Sequence, residues 1–72
     1  MITHNDTLEA GEEIICIDGE DRRFLTNGKR YRAVNGLQEG IFPNQPYVTV
    51  IADHGAQEVY HASRFRKLTP ED

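Results

Sequence analysis

Tyr47-Val-Thr-Val-Ile-Ala-Asp-His-Gly-Ala-Gln-Glu-Val-Tyr-His-Ala-Ser-Arg-Phe-Arg-Lys-Leu68 decides the fold. Residues 47–52 form the clearest strand, because Tyr, Val and Thr suit a pleated, half-buried surface. Asp53-His54-Gly55 fits a three-residue hairpin loop with Gly55 in the left-handed position. Residues 57–61 return against the first strand. Residues 62–65 are long enough for one 3₁₀ turn. Residues 66–68 form a last short strand, which Thr69-Pro70 stops.

Working back from this stretch, residues 35–46 hold two prolines and two glycines and read as a loop. Ile41 and Phe42 lie inside it and are expected to fold back onto the core. Before the loop, Tyr31 and Ala33 alternate with Arg30 and Arg32. Period two sends tyrosine to one face and both arginines to the other. Asn27-Gly28 precedes that strand and marks a tight turn, because the dipeptide tolerates positive φ at both positions. The isoleucine-rich run 13–18 is the first strand, ended by Asp18-Gly19. Residues 1–10 are polar and read as loose. Asp6-Thr-Leu-Glu9 has capping-box spacing, but no helical apolar stripe follows, so at most one turn is expected.

No segment sustains a helical apolar period over ten or more residues. The fold class is therefore all-β: a small five-stranded barrel, with one 3₁₀ turn before the last strand. Closure removes exposed edges, which otherwise recruit other strands. The expected organisation is a flexible acidic segment over 1–11, a barrel over 12–68 and a tail over 69–72.

At 72 residues the chain makes one small domain. A single cysteine, Cys16, excludes an internal disulfide and suits a reducing compartment. Between Ile15 and Ile17 it reads as a small buried hydrophobe. No run approaches the roughly 20 apolar residues of a membrane helix. The N-terminus shows no secretory pattern, so a soluble cytoplasmic protein is expected.

Charge is unevenly placed. Residues 1–21 carry seven acids and no Lys or Arg, whereas 22–67 carry all eight bases and three acids. One reading is intramolecular charge balance; the other is a basic docking face beside or beneath an acidic segment. Arg22, Arg23, Arg30, Arg32, Arg64 and Arg66 are the candidates for such a face, since guanidinium forks suit phosphate and carboxylate groups. Tyr47 and Tyr60 join them as partner-binding candidates. Tyrosine beside arginine can stack a base or anchor a protein interface.

Catalytic constellations are missing from the sequence. His4, His54, His61 and Cys16 share no metal-ligand spacing. Ser63 lies near His61 but on no elbow turn. Gly28-Lys29 lacks the preceding glycine and following helix of a phosphate loop. No enzyme activity, cofactor, metal or small-molecule substrate is expected.

Leu25-Thr-Asn-Gly28-Lys29-Arg-Tyr31-Arg-Ala-Val34, Tyr47-Val-Thr-Val50, Asp53-His-Gly55 and Tyr60-His-Ala-Ser-Arg64-Phe65 together resemble small stand-alone Src-homology-3-like (SH3-like) barrels of bacteriophages and prophages. The likeness covers roughly residues 12–68 and extends to Tudor-like and KOW-like modules. Those relatives bind peptides, proteins or nucleic acid. The proline-peptide-binding members carry paired aromatics followed by a tryptophan, and this chain has no tryptophan. The resemblance implies a non-enzymatic binding module acting on a host or phage protein, or on itself. The alternative is nucleic-acid binding through the arginines.

Overall fold

The computed structural model describes residues 1–20, 23–42 and 44–72. Of the residues singled out above, Arg22 and Pro43 lie outside the described set, as does Asp21. Five short strands follow in chain order: β1 Glu13–Cys16, β2 Arg30–Arg32, β3 Tyr47–Ile51, β4 Gln57–His61 and β5 Phe65–Lys67. A 3₁₀ turn over Ala62–Arg64 separates β4 from β5. The fold is almost wholly β.

The strands form two small antiparallel sheets, β2-β1-β5 and β3-β4. Isolated bridges continue the pairing, Ala33 to Val50 across the sheets and Gln38 to Tyr47 beside β3. The sheets do not close into a ring, so the pairing draws an open two-sheet arrangement where a closed barrel was expected. Strands of three to five residues leave too little ladder to seal both seams.

Local chemistry explains the elements. The β3-β4 hairpin turns through residues 53–55, closed by Ala52 N–H to the Ala56 carbonyl at 2.9 Å, with Gly55 at φ 86°. At the other turn only Gly28 has positive φ, at 82°. Asn27 keeps an ordinary φ, and its side-chain oxygen accepts the Gly19 N–H instead. The last strand begins one residue earlier than expected, at Phe65.

The core gathers Ile14, Cys16, Tyr31, Val48, Val50, Ala62 and Phe65 from the strands and the 3₁₀ turn, Ala33 from the bridge just after β2, and Leu25 from the loop before β2. Phe65 is fully buried and meets Tyr31 and Tyr60 edge-on, with centroids 6.1 and 6.4 Å away. Cys16 is buried, and burial pushes its thiol pKa up.

Two more core residues, Ile2 and Leu8, come from the head that read as loose. Ile2 is 1% exposed, and its N–H donates to the Phe65 carbonyl at 2.9 Å. Leu8 lies against Gly36, where an added Cβ would stand 2.7 Å from the Leu8 carbonyl oxygen. The Lys67 ammonium donates to the Thr7 carbonyl, and Gly11 N–H donates to Ala33. Residues 1–11 are thus a strap over the core, and a core boundary at residue 12 leaves out two buried side chains.

The strap also accounts for a second difference. Ile41 and Phe42 do not fold back; they are 87% and 61% exposed. Leu37 is the residue of that loop packed on the core.

Phe65→Ala removes the side chain that both sheets share. A buried aromatic truncation costs about 3–5 kcal/mol, and a chain of this size holds roughly 4–11 kcal/mol in all. We expect no cooperative thermal transition at 37 °C or above from this variant. Ile2→Ala is expected to cost about 2–5 kcal/mol and to lower Tm by roughly 10 °C or more. A calorimetric midpoint equal to that of the parent would mean that the strap does not hold.

Candidate functional site

Residues opposite one another in an antiparallel pair share a face. Ile14, Cys16, Tyr31 and Phe65 take the core face of the three-stranded sheet, so its outer face carries the other parity. Arg32 stands opposite Glu13, while Arg30 and Arg66 flank Ile15 from either side. Three of the arginines singled out in the sequence therefore share one face. Ile15 is only 7% exposed although it lies outside the core cluster. Arginine stems on both sides are suited to cover it while their heads stay wet.

Those heads are engaged. Glu13 receives Arg30 at 3.9 Å and Arg32 at 3.5 Å, and Arg32 also donates to the Gly11 carbonyl. Arg66 grips Asp72 through two bonds of 2.8 Å each. That fork, with the Thr69 N–H, holds the Asp72 carboxyl far below the usual range. The tail is thereby folded back on β5. Arg64 turns to Asp18, donating to its carbonyl at 3.0 Å with its carboxylate at 3.5 Å. Arg23 lies over the Phe24 ring at 5.7 Å. Each such exposed pair is worth little in stability, but together they place acids from the head and tail among the arginines.

The two tyrosines do not join this face or each other. Tyr60 lies opposite Val48 and packs toward Phe65, on the core side of the hairpin. Tyr47 has the opposite parity and rests against His61, with centroids 4.5 Å apart. Tyr47 also exchanges both backbone hydrogen bonds with Gln38 at 2.8 Å. Gly40 lies beneath its ring so closely that a Cβ would come within 2.6 Å of Cε2. Tyr47 is thus the support on which Gln38 and Gly40 lean.

That loop walls a cleft of about 610 Å³. Leu37, Ile41, Phe42 and Pro46 give it an apolar wall, and Asp6 and Glu39 give it negative charge; among the described residues no lysine or arginine lines it. Asp6 accepts the Thr3 N–H at 2.7 Å, which keeps its carboxyl below the usual range. Sequence reasoning passed over Ile41 and Phe42 as site residues. Their signal was local: two large apolar side chains lodged between Gly40 and Pro43, where no strand can form to bury them.

A fourth cluster ties the hairpin tip to the sheet. Asp53 accepts from Lys29 at 2.6 Å, from the Tyr31 hydroxyl at 2.8 Å and from the Thr26 hydroxyl at 2.8 Å. Its own N–H donates to the Phe24 carbonyl. The Lys29 ammonium, aided by both hydroxyls, holds the Asp53 carboxyl below its ordinary range, and Asp53 in turn raises Lys29. Beside it, Phe24 stacks on His54 at 3.8 Å, and His54 lies 3.3 Å from Glu58. Three side chains thus converge on the Asp53 carboxylate, so the arrangement is a clamp.

Among the described residues, no group of three or more His, Cys, Asp or Glu side chains could hold a metal ion. Nor is any helix among them long and apolar enough to cross a membrane. The site thus belongs to a small all-β protein whose exposed chemistry is an ion-paired arginine face and an apolar cleft. Compared with known protein families, with curated proteins and with solved structures, the chain finds no match in any of the three.

Asp53→Ala strands the buried Tyr31 hydroxyl without its acceptor, a loss of about 1–3 kcal/mol. A pH series checks the same clamp. Because the folded pKa of Asp53 lies below its ordinary 3.8, its stabilisation is present above that value. It is lost as pH falls from there through the folded pKa. We expect urea midpoints of the parent chain to drop below about pH 4, and the Asp53→Asn variant to drop less over the same window. Parallel curves for the two chains would remove Asp53 from the acid response.

Proposed function

We propose that this chain is a non-enzymatic, SH3-like binding module of the phage or prophage type, and that it acts by holding a segment of another protein in the cleft beside residues 37–46. The observation that carries this reading is the exposure of Ile41 and Phe42, 87% and 61%, at the lip of that cleft. Large apolar side chains presented together beside a concavity mark interaction surfaces. Aromatic anchors ringed by polar residues are the usual source of interface affinity. The wall acids Asp6 and Glu39 favour a partner segment that carries Lys or Arg beside an apolar anchor.

Nucleic-acid binding through Arg30 and Arg32 is the second reading. It draws support from one fact: these two guanidiniums, 51% and 62% exposed, share a single carboxylate, Glu13. The remaining charge is positive, but the other face arginine, Arg66, is closed by Asp72. Glu13 in the middle of the face and a net charge of -4 oppose a phosphate backbone. The observations therefore favour a protein partner.

Two measurements test the pair of readings. Ile41→Asp with Phe42→Ala is expected to abolish co-purification of any partner captured by the parent chain from host lysate, with the thermal midpoint unchanged because both side chains are exposed. Capture that survives the double variant would overturn the cleft as the site. Fluorescence anisotropy with short DNA and RNA at low salt is expected to show no binding. Tight binding that weakens with salt and disappears in Arg30→Glu with Arg32→Glu would establish the second reading.

A further inference from the structure

Among the described residues, the β3-β4 hairpin has its β3 edge covered and little along its β4 edge. In its ladder, Ala52 bonds Ala56 and Ala62 bonds Pro46. Counting inward from both ends along the register, Val50 with Glu58 and Val48 with Tyr60 are the hydrogen-bonded pairs. Thr49 with Val59, and the pairs on either side of it, are the non-bonded ones. Their backbone groups point away from the ladder. On β3 these groups are taken: Tyr47 exchanges bonds with Gln38, and the Thr49 carbonyl accepts from Val34. On β4 the N–H and C=O groups of Gln57 and Val59 and the N–H of His61 point outward, and none of them meets a backbone partner among the described residues; the His61 carbonyl, at the N-cap of the 3₁₀ turn, is taken by that turn.

An edge of this kind recruits another strand unless it is blocked by lysine, proline or a bulge. β4, Gln-Glu-Val-Tyr-His, carries none of these. Its one acid, Glu58, lies 3.3 Å from His54. Val59, at the centre of the edge, is 56% exposed, and Ile51 on the same sheet face is 38% exposed. We propose that β4 pairs antiparallel with β4 of a second copy of this chain, about a two-fold axis through Val59, making a four-stranded sheet from two hairpins.

Charge chooses that register. Outward-pointing residues must meet outward-pointing residues, which leaves three alignments that pair at least three residues of the strand. An axis at Glu58 would set two carboxylates directly opposite one another, which is unfavourable. An axis at Tyr60 would run the pairing into the 3₁₀ turn at Ala62. The axis at Val59 sets valine against valine, Gln57 against His61 of the second copy, and Glu58 against a tyrosine. It uses all five strand residues with no like-charge contact. Such a short edge falls below the roughly 1,200–2,000 Å² of stable complexes. The dimer is therefore weak, with a dissociation constant between about 10 µM and 1 mM.

Sedimentation equilibrium on the full chain, up to millimolar concentration, tests the proposal together with amide exchange at low and high concentration. We expect a monomer–dimer equilibrium. The amides of Gln57, Val59 and His61 should gain protection with concentration, while Glu58 and Tyr60, already laddered to β3, stay protected throughout. Val59→Pro deletes an outward N–H, which an edge strand tolerates, and should weaken association at least about tenfold, or 1.4 kcal/mol. Val59→Lys supplies the same test if the proline variant does not fold. A monomer at every concentration would overturn the proposal. So would protection at 57, 59 and 61 that ignores concentration, or association unchanged in a folded Val59 variant. A dimer lost in Ile41→Asp but kept in Val59→Lys would overturn it too, by placing self-association at the cleft.

Discussion

The structure depends on Phe65 being held between the two sheets. Its ring meets Tyr31 of one sheet and Tyr60 of the other, and its carbonyl receives the N–H of Ile2. Two sheets of three and two short strands cannot bury much apolar surface separately. One large side chain placed where they meet lets each use the other as its floor. The 3₁₀ turn exists for the same reason. It takes the chain from β4 to β5 in three residues and delivers Phe65 to the core at the first position of the new strand.

Much of this was legible in the sequence where the signal is local. Gly55 after Asp53-His54 gave the hairpin, and period two over residues 30–33 placed Tyr31 and Ala33 inward. The strap could not be read that way. Ile2 and Leu8 are isolated apolar residues in polar company, and their burial comes from contacts with Phe65 and Gly36, more than 25 positions away. The misplacement of Ile41 and Phe42 follows from that gap. Ile2 and Leu8 from the strap, with Leu37 of the loop, pack on the core where Ile41 and Phe42 were expected. Ring closure was overread for a related reason: strand count is visible in a sequence, whereas the length of ladder across a seam is not.

The candidate site was legible in parts that the fold then separated. Alternation put Arg30 and Arg32 on one face correctly, but Arg66 joined them only through the β1-β5 register. The same register brought Glu13 between the β2 arginines. Charge asymmetry along the chain therefore became charge balance in space: head acids Glu12, Glu13 and Asp18 pair with Lys67, Arg30 with Arg32, and Arg64. Acids grouped in sequence and bases grouped in sequence are what a meander interleaves when the first strand lies between the second and the last.

What remains unengaged by the fold lies on the two sides of one hairpin. The cleft leans on β3 through Tyr47 and Gln38, while the open backbone groups line the far side of β4. A two-fold through β4 would give the pair one cleft on each copy. Two sites on one rigid sheet can engage a repeated or oligomeric target together. The second contact is then made at an effective concentration set by the sheet, so a weak cleft gains avidity without any new residue touching the target. A small chain offers little surface at any one cleft, and the proposed pairing at the β4 edge would offset that limit.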